Sequence, residues 1–330
     1  YIEETAVQLK RILRNGHIII LESTSFPGTT EEVLKKILDE SGLKIEEDYF
    51  LGYSPERINP ADKIFRIEDI PKIVSGYGNK SLELISLLYG HVFKTIVKAN
   101  SIKAAESAKL LENIYRAVNI SLINSMKIVL DAMGIDIYEV INLASTKPFG
   151  FQPFYPSPGM GGHCIPIDPF YLSYKAREFG VTAKFIELAG ELDHTMPGYY
   201  FERILKKLND LGILLKSANV LIVGVAYKPD TNDTRESPAI VFIEKFLDYK
   251  ANVSYHDPLV PKLGPTRKFP KEMSSISLES ELSKFDFVVL VTPHSSLDYE
   301  YLVENSKILF DIRNAIYKKL NVKFPNVYVI

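Results

Sequence analysis

Short, continuous apolar runs separated by amphipathic stretches characterise the first hundred residues. Such runs are typical of the buried strands of a parallel sheet, with helices packed across it. The pattern predicts a helix at Glu3 to Arg14, followed by strands at 17–24, 49–53, 72–76 and 94–98. A second helix is expected after FPGTT, with Thr29 or Thr30 as its N-cap and acidic residues in its first turn. We interpret this region as part of a doubly wound α/β domain.

From Ser101 onwards the pattern becomes helical. Residues 101–133 carry apolar side chains at heptad-like spacing and contain no Pro or Gly, which predicts one long helix between two domains. Further helices are expected near 137–144, 169–179 and 185–211. The segment TKPFGFQPFYPSPGMGG is rich in Pro, Gly and Phe and therefore predicts a loop, whose aromatic content favours an ordered one.

A second alternation of strands and helices begins at Asn219. Strands are predicted in NVLIVGVAYK, NVSYHDP, FDFVVLVT and KILFDI, and a helix at 238–247. The predicted fold class is therefore α/β, with two Rossmann-like doubly wound domains joined by a long central helix and a helical middle domain. The expected bounds are 1–100, 101–212 and 213–330, with the first domain incomplete.

Composition narrows the class of protein. The chain has 330 residues, of which 46% are hydrophobic and 24% charged, and a net charge of −2. These values are ordinary for a globular protein and give no basic footprint for nucleic acid. The longest apolar runs are strand-length, so we expect no membrane span. The single cysteine cannot form an intrachain disulfide, which fits a reducing cytoplasm.

That cysteine, Cys164, lies in PGMGGHCIPID. A lone cysteine is most often a buried structural thiol. Here, however, glycines precede it and allow close approach of a ligand to the backbone, and a helix is expected to begin just after it, which favours the thiolate. Asp168 follows four residues later and is a candidate base. A zinc site is disfavoured because only His163 is adjacent and no CxxC or HxxxH pair exists, so we expect no metal.

Three polar residues of the long helix, Lys109, Asn113 and Arg116, share one face by their spacing. The simplest interpretation is a solvated face. Asparagine is a mediocre helix former, however, and a lysine with an asparagine in a cleft would bind an oxyanion. Both interpretations stay open at this point.

Polar residues also follow predicted strands, where doubly wound sheets bind their ligands. Thr24 ends the first strand in ESTSFPGTT, and Glu56 and Arg57 follow the second in YSPERINP. In VGVAYKPDTNDTRESPA, Gly224 and Ala226 follow a strand, with Lys228 and Arg235 close behind. We interpret this last segment as a degenerate glycine-rich phosphate loop. Each signal is weak by itself.

In combination these segments resemble one family, the nucleotide-sugar 6-dehydrogenases, which include UDP-glucose and GDP-mannose dehydrogenases. GMGGHCIPIDPFYL is similar to the family's GxGGxCxxxD segment, and STSFPGTT, SPERINP, AESAKLLENIYRAVNIS, VGVAYKPDTNDTRESPA and FDIRN occur in the family's order. The loop at 146–158 resembles most the UDP-N-acetylglucosamine branch. Pro148 and Gly150 stand where UDP-N-acetylmannosamine enzymes often have His and Arg.

The resemblance implies oxidation of a sugar C6 hydroxymethyl group to a carboxylate with NAD as cofactor. Cys164 would be the nucleophile, holding the aldehyde as a thiohemiacetal and then a thioester. Asp168 would help to deprotonate the thiol or the hydrolytic water. Lys109 and Asn113 would stabilise oxyanions, while Thr24 and Glu56 would position the water and the hydroxymethyl end.

The resemblance also implies binding roles. The substrate-binding residues would be Arg57, Arg116, Gly161, Lys228 and Arg313. The cofactor-binding residues would be Thr24, Glu56, Cys164 and Arg235, the last also able to reach a neighbouring subunit. The glycines before Cys164 would leave room for sugar and nicotinamide. Family members form dimers through the long central helix, so we expect a UDP-sugar substrate and a homodimer or a higher homo-oligomer.

One departure from the family concerns the first domain, where no GxGxxG turn is found. We therefore expect the N-terminal NAD-binding part to be missing, and the 330 residues alone to bind NAD hardly at all. The alternatives to a UDP-N-acetylglucosamine 6-dehydrogenase are a UDP-glucose or UDP-N-acetylmannosamine 6-dehydrogenase. A nucleotide-sugar-binding fragment without redox activity is the alternative from another class.

Overall fold

The computed structural model describes residues 1–58, 65–162, 164–265, 269–279 and 282–330. The described residues form two compact units, each made of two chain segments. The first unit comprises residues 1–115 and 167–186, and the second comprises 116–166 and 187–330. The division falls inside the long helix, whereas the sequence predicted three consecutive domains.

The first unit contains a four-stranded sheet. Its elements are α1 (Ile2–Ile12), β1 (His17–Leu21), a π-helical turn (Thr29–Leu34) continuing into α2 (Lys35–Asp39), β2 (Tyr49–Tyr53), β3 (Lys72–Gly76), α3 (Asn79–Gly90), β4 (Ile96–Lys98) and the first half of α4 (Ile102–Ala132). The strand order is β1-β2-β3-β4. The small core between α1, α2 and the sheet includes Ala6, Leu38 and Leu51.

Two expectations for the first unit are wrong in detail. Strand β3 pairs with β2 in antiparallel orientation, although β1–β2 and β3–β4 are parallel as expected. Continuous apolar runs indicate burial on both faces but do not encode strand direction. The helix after FPGTT has Gly28 at its cap position and no side-chain cap from Thr29 or Thr30.

The central part of the chain is helical, as predicted. Helix α4 is followed by α5 (Ile137–Ala144), α6 (Asp168–Glu178) and α7 (Lys184–Asp210). Of these, α6 belongs to the first unit and α5 and most of α7 to the second. Helix α4 runs for 31 residues and α7 for 27 with Pro197 inside it. Among the described residues, none of these helices is both long and apolar enough to cross a membrane.

The second unit contains a five-stranded parallel sheet. Its further elements are β5 (Asn219–Val223), α8 (Pro238–Asp248), β6 (Asn252–His256), β7 (Lys262–Leu263), β8 (Met273–Ser274), β9 (Phe287–Leu290), α9 (Tyr299–Asn305), β10 (Leu309–Asp311), α10 (Ala315–Leu320) and β11 (Val327–Val329). The order is β11-β10-β9-β5-β6, so it reverses between β5 and β9. Its core is aromatic, with Phe246, Phe287 and Phe310 in edge-to-face or tilted contact. The α/β doubly wound fold class is confirmed.

Candidate active site

The polar face of α4 in the first unit is held by specific contacts. Asn113 is buried and donates from Nδ2 to Oδ2 of Asp168, the first residue of α6, at 2.7 Å. Lys109 donates from Nζ to the main-chain oxygen of Glu56 at 2.5 Å. The structure therefore brings four predicted residues together in two pairs. Asn113 is not on a solvated face, whereas Arg116, three residues later, is exposed.

Arg57 lies in a different setting from the one expected of a substrate-binding arginine. Its guanidinium forms an ion pair with Glu112 at 2.8 Å and donates to the main-chain oxygen of Pro71 at 2.8 Å. Glu56 is exposed, and its Oε1 accepts from the main-chain N–H of Ile58 at 2.5 Å. Thr24 is half-buried just after β1. A role for Arg57 in substrate binding would require it to share its charge with Glu112.

Two enclosed hydroxyl groups lie at the carboxyl ends of the first two strands. The hydroxyls of Ser25, after β1, and of Tyr53, the last residue of β2, are buried and have no hydrogen-bond partner among the described residues. Burial, then the nearby carboxylates of Glu106 and Asp168, raise the pKa of Tyr53. Sequence reasoning missed both residues, because an aromatic residue in an apolar strand is ordinarily core. Most buried hydroxyls in native proteins are hydrogen-bonded, so these two are exceptions that mark the strand ends as candidates for a functional role.

The turn after β1, residues 26–30, is here called the β1 turn. Its main-chain N–H groups are capped by a side chain that lies far away in the sequence. The carboxylate of Glu106 on α4 accepts from the main-chain N–H groups of Gly28, at 2.5 Å, and Thr30, at 2.9 Å, and from the Thr30 hydroxyl at 2.7 Å. The helix N-terminus is thus already neutralised and does not offer these amides to a phosphate. The main-chain amides of Gly28 and Thr30 are therefore occupied by a side chain of the same unit.

Cys164, in the second unit, is exposed. The glycines before it do not leave open space, contrary to expectation. A Cβ added to Gly161 would lie 2.6 Å from Cβ of Tyr227, and one added to Gly162 would lie 2.8 Å from the Tyr227 ring. The main-chain N–H of Gly162 also donates to the oxygen of Arg235 at 2.9 Å. Gly161 and Gly162 therefore allow Tyr227 to pack against the cysteine turn, and any contact of Gly161 with substrate would involve its main chain.

The turn after β5, residues 224–226, is here called the β5 turn, and it is not a phosphate loop. Its amides at Val225 and Ala226 donate to Oδ2 of Asp257 at 2.7 and 3.1 Å. Burial would raise the pKa of Asp257, but hydrogen bonds from His294 and main-chain amides outweigh it and the pKa is lowered. The sequence interpretation of this segment is therefore wrong, because a side chain of the same domain takes the place of the anion.

The cations behind the β5 turn are placed differently from one another. Lys228 is half-buried, with Nζ 5.6 Å from the centroid of the Tyr227 ring. Arg235 is exposed and donates from Nε and NH2 to the carboxylate of Asp233 at 2.7 to 3.1 Å. Lys228 thus faces an aromatic ring, while the charge of Arg235 is partly compensated.

Arg313 follows β10 and is the cation best prepared for an anionic ligand. Its Nε is enclosed without a hydrogen-bond partner among the described residues, as is the hydroxyl of Tyr200. Burial lowers the pKa of Arg313. An enclosed guanidinium with an unsatisfied donor is costly without a counter-anion. The fold therefore leaves one donor of Arg313 without an acceptor among the described residues.

A metal is not indicated by the described residues, which contain no group of three His, Cys, Asp or Glu side chains able to hold one. His163, which sequence reasoning weighed together with Cys164 as a zinc ligand, lies outside the described residues.

Family models match most of the chain. Residues 1–93 match the NAD binding domain of the UDP-glucose/GDP-mannose dehydrogenase family, residues 103–195 its central domain and residues 221–318 its UDP binding domain. NAD is therefore confirmed as the cofactor. The expectation that the NAD-binding part is missing is wrong, since residues 1–93 belong to that domain although they contain no GxGxxG turn. The error lay in treating that motif as the only sign of the domain.

Individual relatives agree with the family models. Protein CapL of Staphylococcus aureus is 37% identical over 93% of this chain and 73% of its own length. UDP-N-acetyl-D-glucosamine 6-dehydrogenase of Pseudomonas aeruginosa is 36% identical over 86% of this chain and 67% of its own. A solved UDP-D-ManNAc dehydrogenase from Pyrococcus horikoshii superposes with a TM-score of 0.84 at 30% identity, covering 100% of this chain and 75% of that one.

Proposed function

The chain belongs to the UDP-glucose/GDP-mannose dehydrogenase family of NAD-dependent nucleotide-sugar 6-dehydrogenases, and we propose that it oxidises UDP-N-acetylglucosamine to the uronate. The observation that carries the mechanism is the sole cysteine, exposed in a turn that the protein supports from behind. The sugar is proposed from the 146–158 loop, whose Pro and aromatic residues suit the methyl of an acetamido group. Relatives named for two different sugars share the fold, so similarity alone leaves the sugar open.

Cys164 supplies the covalent chemistry in this proposal. Its sulfur adds to the C6 aldehyde carbon, and the carbonyl oxygen takes a proton, giving a thiohemiacetal. Oxidation of that adduct gives a thioester, and water then cleaves the C–S bond to release the carboxylate and the thiol. When bound, NAD supplies the hydride acceptor for each of the two oxidations. A covalent adduct keeps the aldehyde from leaving between them.

In this proposal the two hydrogen-bonded pairs of the first unit, Asn113 with Asp168 and Lys109 with Glu56, supply proton transfer and charge stabilisation. We assign Asp168 as the base for the thiol or the hydrolytic water, with its carboxylate oriented by the Asn113 amide. Lys109 and Asn113 stabilise the oxyanion on C6. Thr24 and Glu56 position the water and the hydroxymethyl end, and the neighbouring Ser25 hydroxyl is available to the nicotinamide end.

The substrate diphosphate is assigned to cations of the second unit. Arg313 is the leading candidate because its enclosed Nε lacks an acceptor among the described residues. Lys228 and Arg116 contribute further charge, and Gly161 contributes main-chain contact. Arg235 is assigned to the cofactor or to a neighbouring subunit, with Cys164 close to the nicotinamide. Arg57 remains a proposed substrate contact beside its ion pair with Glu112.

Replacing the nucleophile tests the mechanism. Cys164→Ala should reduce uronate formation from UDP-N-acetylglucosamine by at least about 10³-fold, measured by NADH release and by product mass. Thr182→Ala, at another exposed position, is the matched control and should keep full activity. Near wild-type uronate formation by the Cys164 variant would exclude the covalent route.

A panel of UDP-sugars tests the substrate. We expect UDP-N-acetylglucosamine to exceed UDP-glucose in kcat/KM by roughly 10–200-fold, the discrimination available from one small apolar group. UDP-N-acetylmannosamine belongs in the same panel. Equal rates on the N-acetylated sugars and UDP-glucose would remove the case for an acetamido pocket.

We also propose a homodimer formed through α4. Five exposed apolar residues lie on this helix, Leu111, Tyr115, Leu122, Met126 and Val129, and the exposed Met133 follows its last residue. At 3.6 residues per turn they fall within an arc of about 60°. Val129→Lys should therefore convert a dimer into a monomer by light scattering, and a wild-type monomer would contradict the proposal.

The three-domain division at 1–100, 101–212 and 213–330 is kept as a proposal for the evolutionary units. The reaction needs a reduced thiol, which the cytoplasm maintains, so we propose that the enzyme acts there.

A further inference from the structure

A buried, hydrogen-bonded pair of side chains lies at the carboxyl ends of strands beside the reversal of strand order in the second unit. In open α/β sheets a ligand normally binds where the strand order reverses, here between β5 and β9. Asp257 follows β6, and His294 follows β9; both are buried and His294 has no exposed surface. Their contact, His294 Nε2 to Asp257 Oδ2, measures 3.0 Å. This pair is not used in the mechanism above, although it lies at the usual ligand position.

The hydrogen bonds define the protonation of His294. Its Nδ1 accepts from the main-chain N–H of Asp230 at 3.0 Å. Because a main-chain N–H can only donate, Nδ1 carries no proton, and the proton lies on Nε2 and is donated to Asp257. His294 is therefore a neutral bridge with one contact to the sheet core, through Asp257, and one to the loop after β5.

That loop, residues 227–236, carries two residues to which ligand contacts are assigned above and is here called the 227–236 loop. It contains Tyr227, Lys228 and Arg235. Besides the bond to His294, its contacts with the neighbouring segment are made by the Asp230 carboxylate, which accepts from the main-chain N–H and the hydroxyl of Ser295 at 2.8 Å each. The position of Asp230 is thus set from the segment after β9.

The same loop supports the cysteine turn. The Tyr227 side chain occupies the space beside Gly161 and Gly162, and the Arg235 oxygen accepts from Gly162 N–H. A displacement of the loop would therefore move Lys228 and the support of the Cys164 turn together.

We propose that His294 is a positioning residue for the dehydrogenase reaction, acting through its Nδ1 bond to Asp230 on the 227–236 loop. This inference rests on the proposed function. The two nitrogens have separate tasks. Nε2 is one of five donors to Asp257, the others being the amides of Val225, Ala226, Leu259 and Val260. Nδ1 holds the loop.

Two amide variants separate those tasks. In His294→Asn the side-chain oxygen can take the place of Nδ1, so the loop bond is kept and the Asp257 bond is lost. In His294→Gln the terminal amide can take the place of Nε2, so the Asp257 bond is kept and the loop bond is lost. Each variant is the matched control of the other, since each removes one buried hydrogen bond.

The readouts are steady-state kinetics with UDP-N-acetylglucosamine and calorimetric titration with UDP. We expect His294→Gln to raise KM for the UDP-sugar and to weaken UDP binding by about tenfold or more. For His294→Asn, KM for the UDP-sugar and the affinity for UDP should stay within about threefold of wild type. The two variants should have equal stability in urea unfolding. Equal effects of both variants on the UDP-sugar would overturn the proposal.

Two further results keep the test decisive. If His294→Gln does not fold, hydrogen exchange of the Asp230 main-chain N–H in the wild-type enzyme is the second measurement, and an unprotected N–H would contradict its bond to Nδ1 and the loop-positioning role. Failure of the proposed function is recognised separately, because the wild-type enzyme itself would then neither bind UDP nor oxidise the sugar.

Discussion

The β1 turn and the β5 turn occupy equivalent places in their two units. In both, a carboxylate accepts hydrogen bonds from main-chain amides, but the two carboxylates differ in their surroundings. Each follows the first strand of its sheet, and each has two main-chain amides that donate to a carboxylate from outside the turn. In the β1 turn Glu106 binds them, and in the β5 turn Asp257 does. Both turns are therefore closed to a phosphate by an internal carboxylate.

The two carboxylates differ in electrostatic state. Burial raises the pKa of Glu106 more than its hydrogen bonds from Gly28 and Thr30 lower it. Asp257 has five donors, including His294, and its pKa is lowered despite burial. The number of donors thus decides whether a buried carboxylate is favoured as an anion. The carboxylate at the β5 turn therefore receives more hydrogen bonds than the carboxylate at the β1 turn.

The glycines of the two turns give the largest expected difference. A Cβ on Gly224 would lie 2.1 Å from the main-chain oxygen of Thr292, whereas one on Gly28 would meet the Glu32 carboxylate at 2.7 Å, which can move. We expect Gly224→Ala to lower the free energy of unfolding by about 4 kcal/mol or more. Gly28→Ala should cost only the strain of positive φ, about 1–3 kcal/mol.

Urea unfolding, followed through the tertiary signal of the unit that carries each variant, measures both. Gly42→Ala is the control for φ strain alone, since its φ is also positive and no atom lies within 4 Å of the added Cβ. Equal losses for Gly28 and Gly224 would contradict the difference in packing.

Amide replacement of the two carboxylates should give the next largest effect. Asp257→Asn places an NH2 group opposite N–H donors that now bind a carboxylate oxygen. We therefore expect it to lower the free energy of unfolding by about 3–5 kcal/mol. Glu106→Gln should cost about 1–3 kcal/mol, because fewer donors are affected and burial already disfavours the charge. The measurement is urea unfolding at pH 7. A larger loss for Glu106→Gln would reverse the ranking.

The pH dependence should have opposite sign at the two turns. Because the pKa of Glu106 is raised in the folded state, its stabilising contribution is fully present below pH 4.5, its ordinary pKa. That contribution is lost as the pH rises through the folded-state pKa. A lowered pKa means that Asp257 contributes stability above 3.8 and loses it as pH falls through the folded-state value.

The measurement is the stability difference between wild type and each amide variant from pH 3 to pH 7. For Glu106→Gln the advantage of wild type should grow as pH falls toward 4.5, and for Asp257→Asn it should be constant there and shrink below 3.8. Parallel curves for the two variants would show that the carboxylates are electrostatically alike.

The smallest effect is expected at Glu32, two residues after the β1 turn. Hydrogen bonds from Lys103 and Lys175 lower the pKa of Glu32 to about 2, but its side chain is partly exposed, so solvent screens these interactions. Glu32→Gln should therefore cost below about 1 kcal/mol, and less in high salt. Glu31→Gln is the matched control. A loss that persists in 1 M salt would indicate a buried role.

The elements and the chemistry-bearing motifs were predictable from the sequence to a large extent. The long helix was predicted at 101–133 and runs from Ile102 to Ala132. The cysteine turn and the family were identified from residue types at fixed spacing, because both are local in the chain. The direction of β3 was not predictable, since apolar runs report burial and not orientation.

Contacts of the site were predictable only where one element supplies them. Lys109 and Asn113 share a helix face, which spacing reveals. The Asn113–Asp168 bond joins residues 55 apart, and the phosphate-loop interpretation failed because Asp257 lies more than 30 residues beyond the turn it caps. Ser25 and Tyr53 gave no signal, because an unsatisfied hydroxyl is a property of the surroundings.

By itself the sequence determined the order of strands and helices, the family and the position of the one thiol, all of which depend on local residue patterns. Only the tertiary structure decided what the two turns bind. Any carboxylate can satisfy a buried amide, and Glu106 lies 78 residues from Gly28, while His294 lies 37 from Asp257. Hydrogen-bond partners in a folded core are chosen by proximity in space, and proximity across such separations is not written in the local pattern.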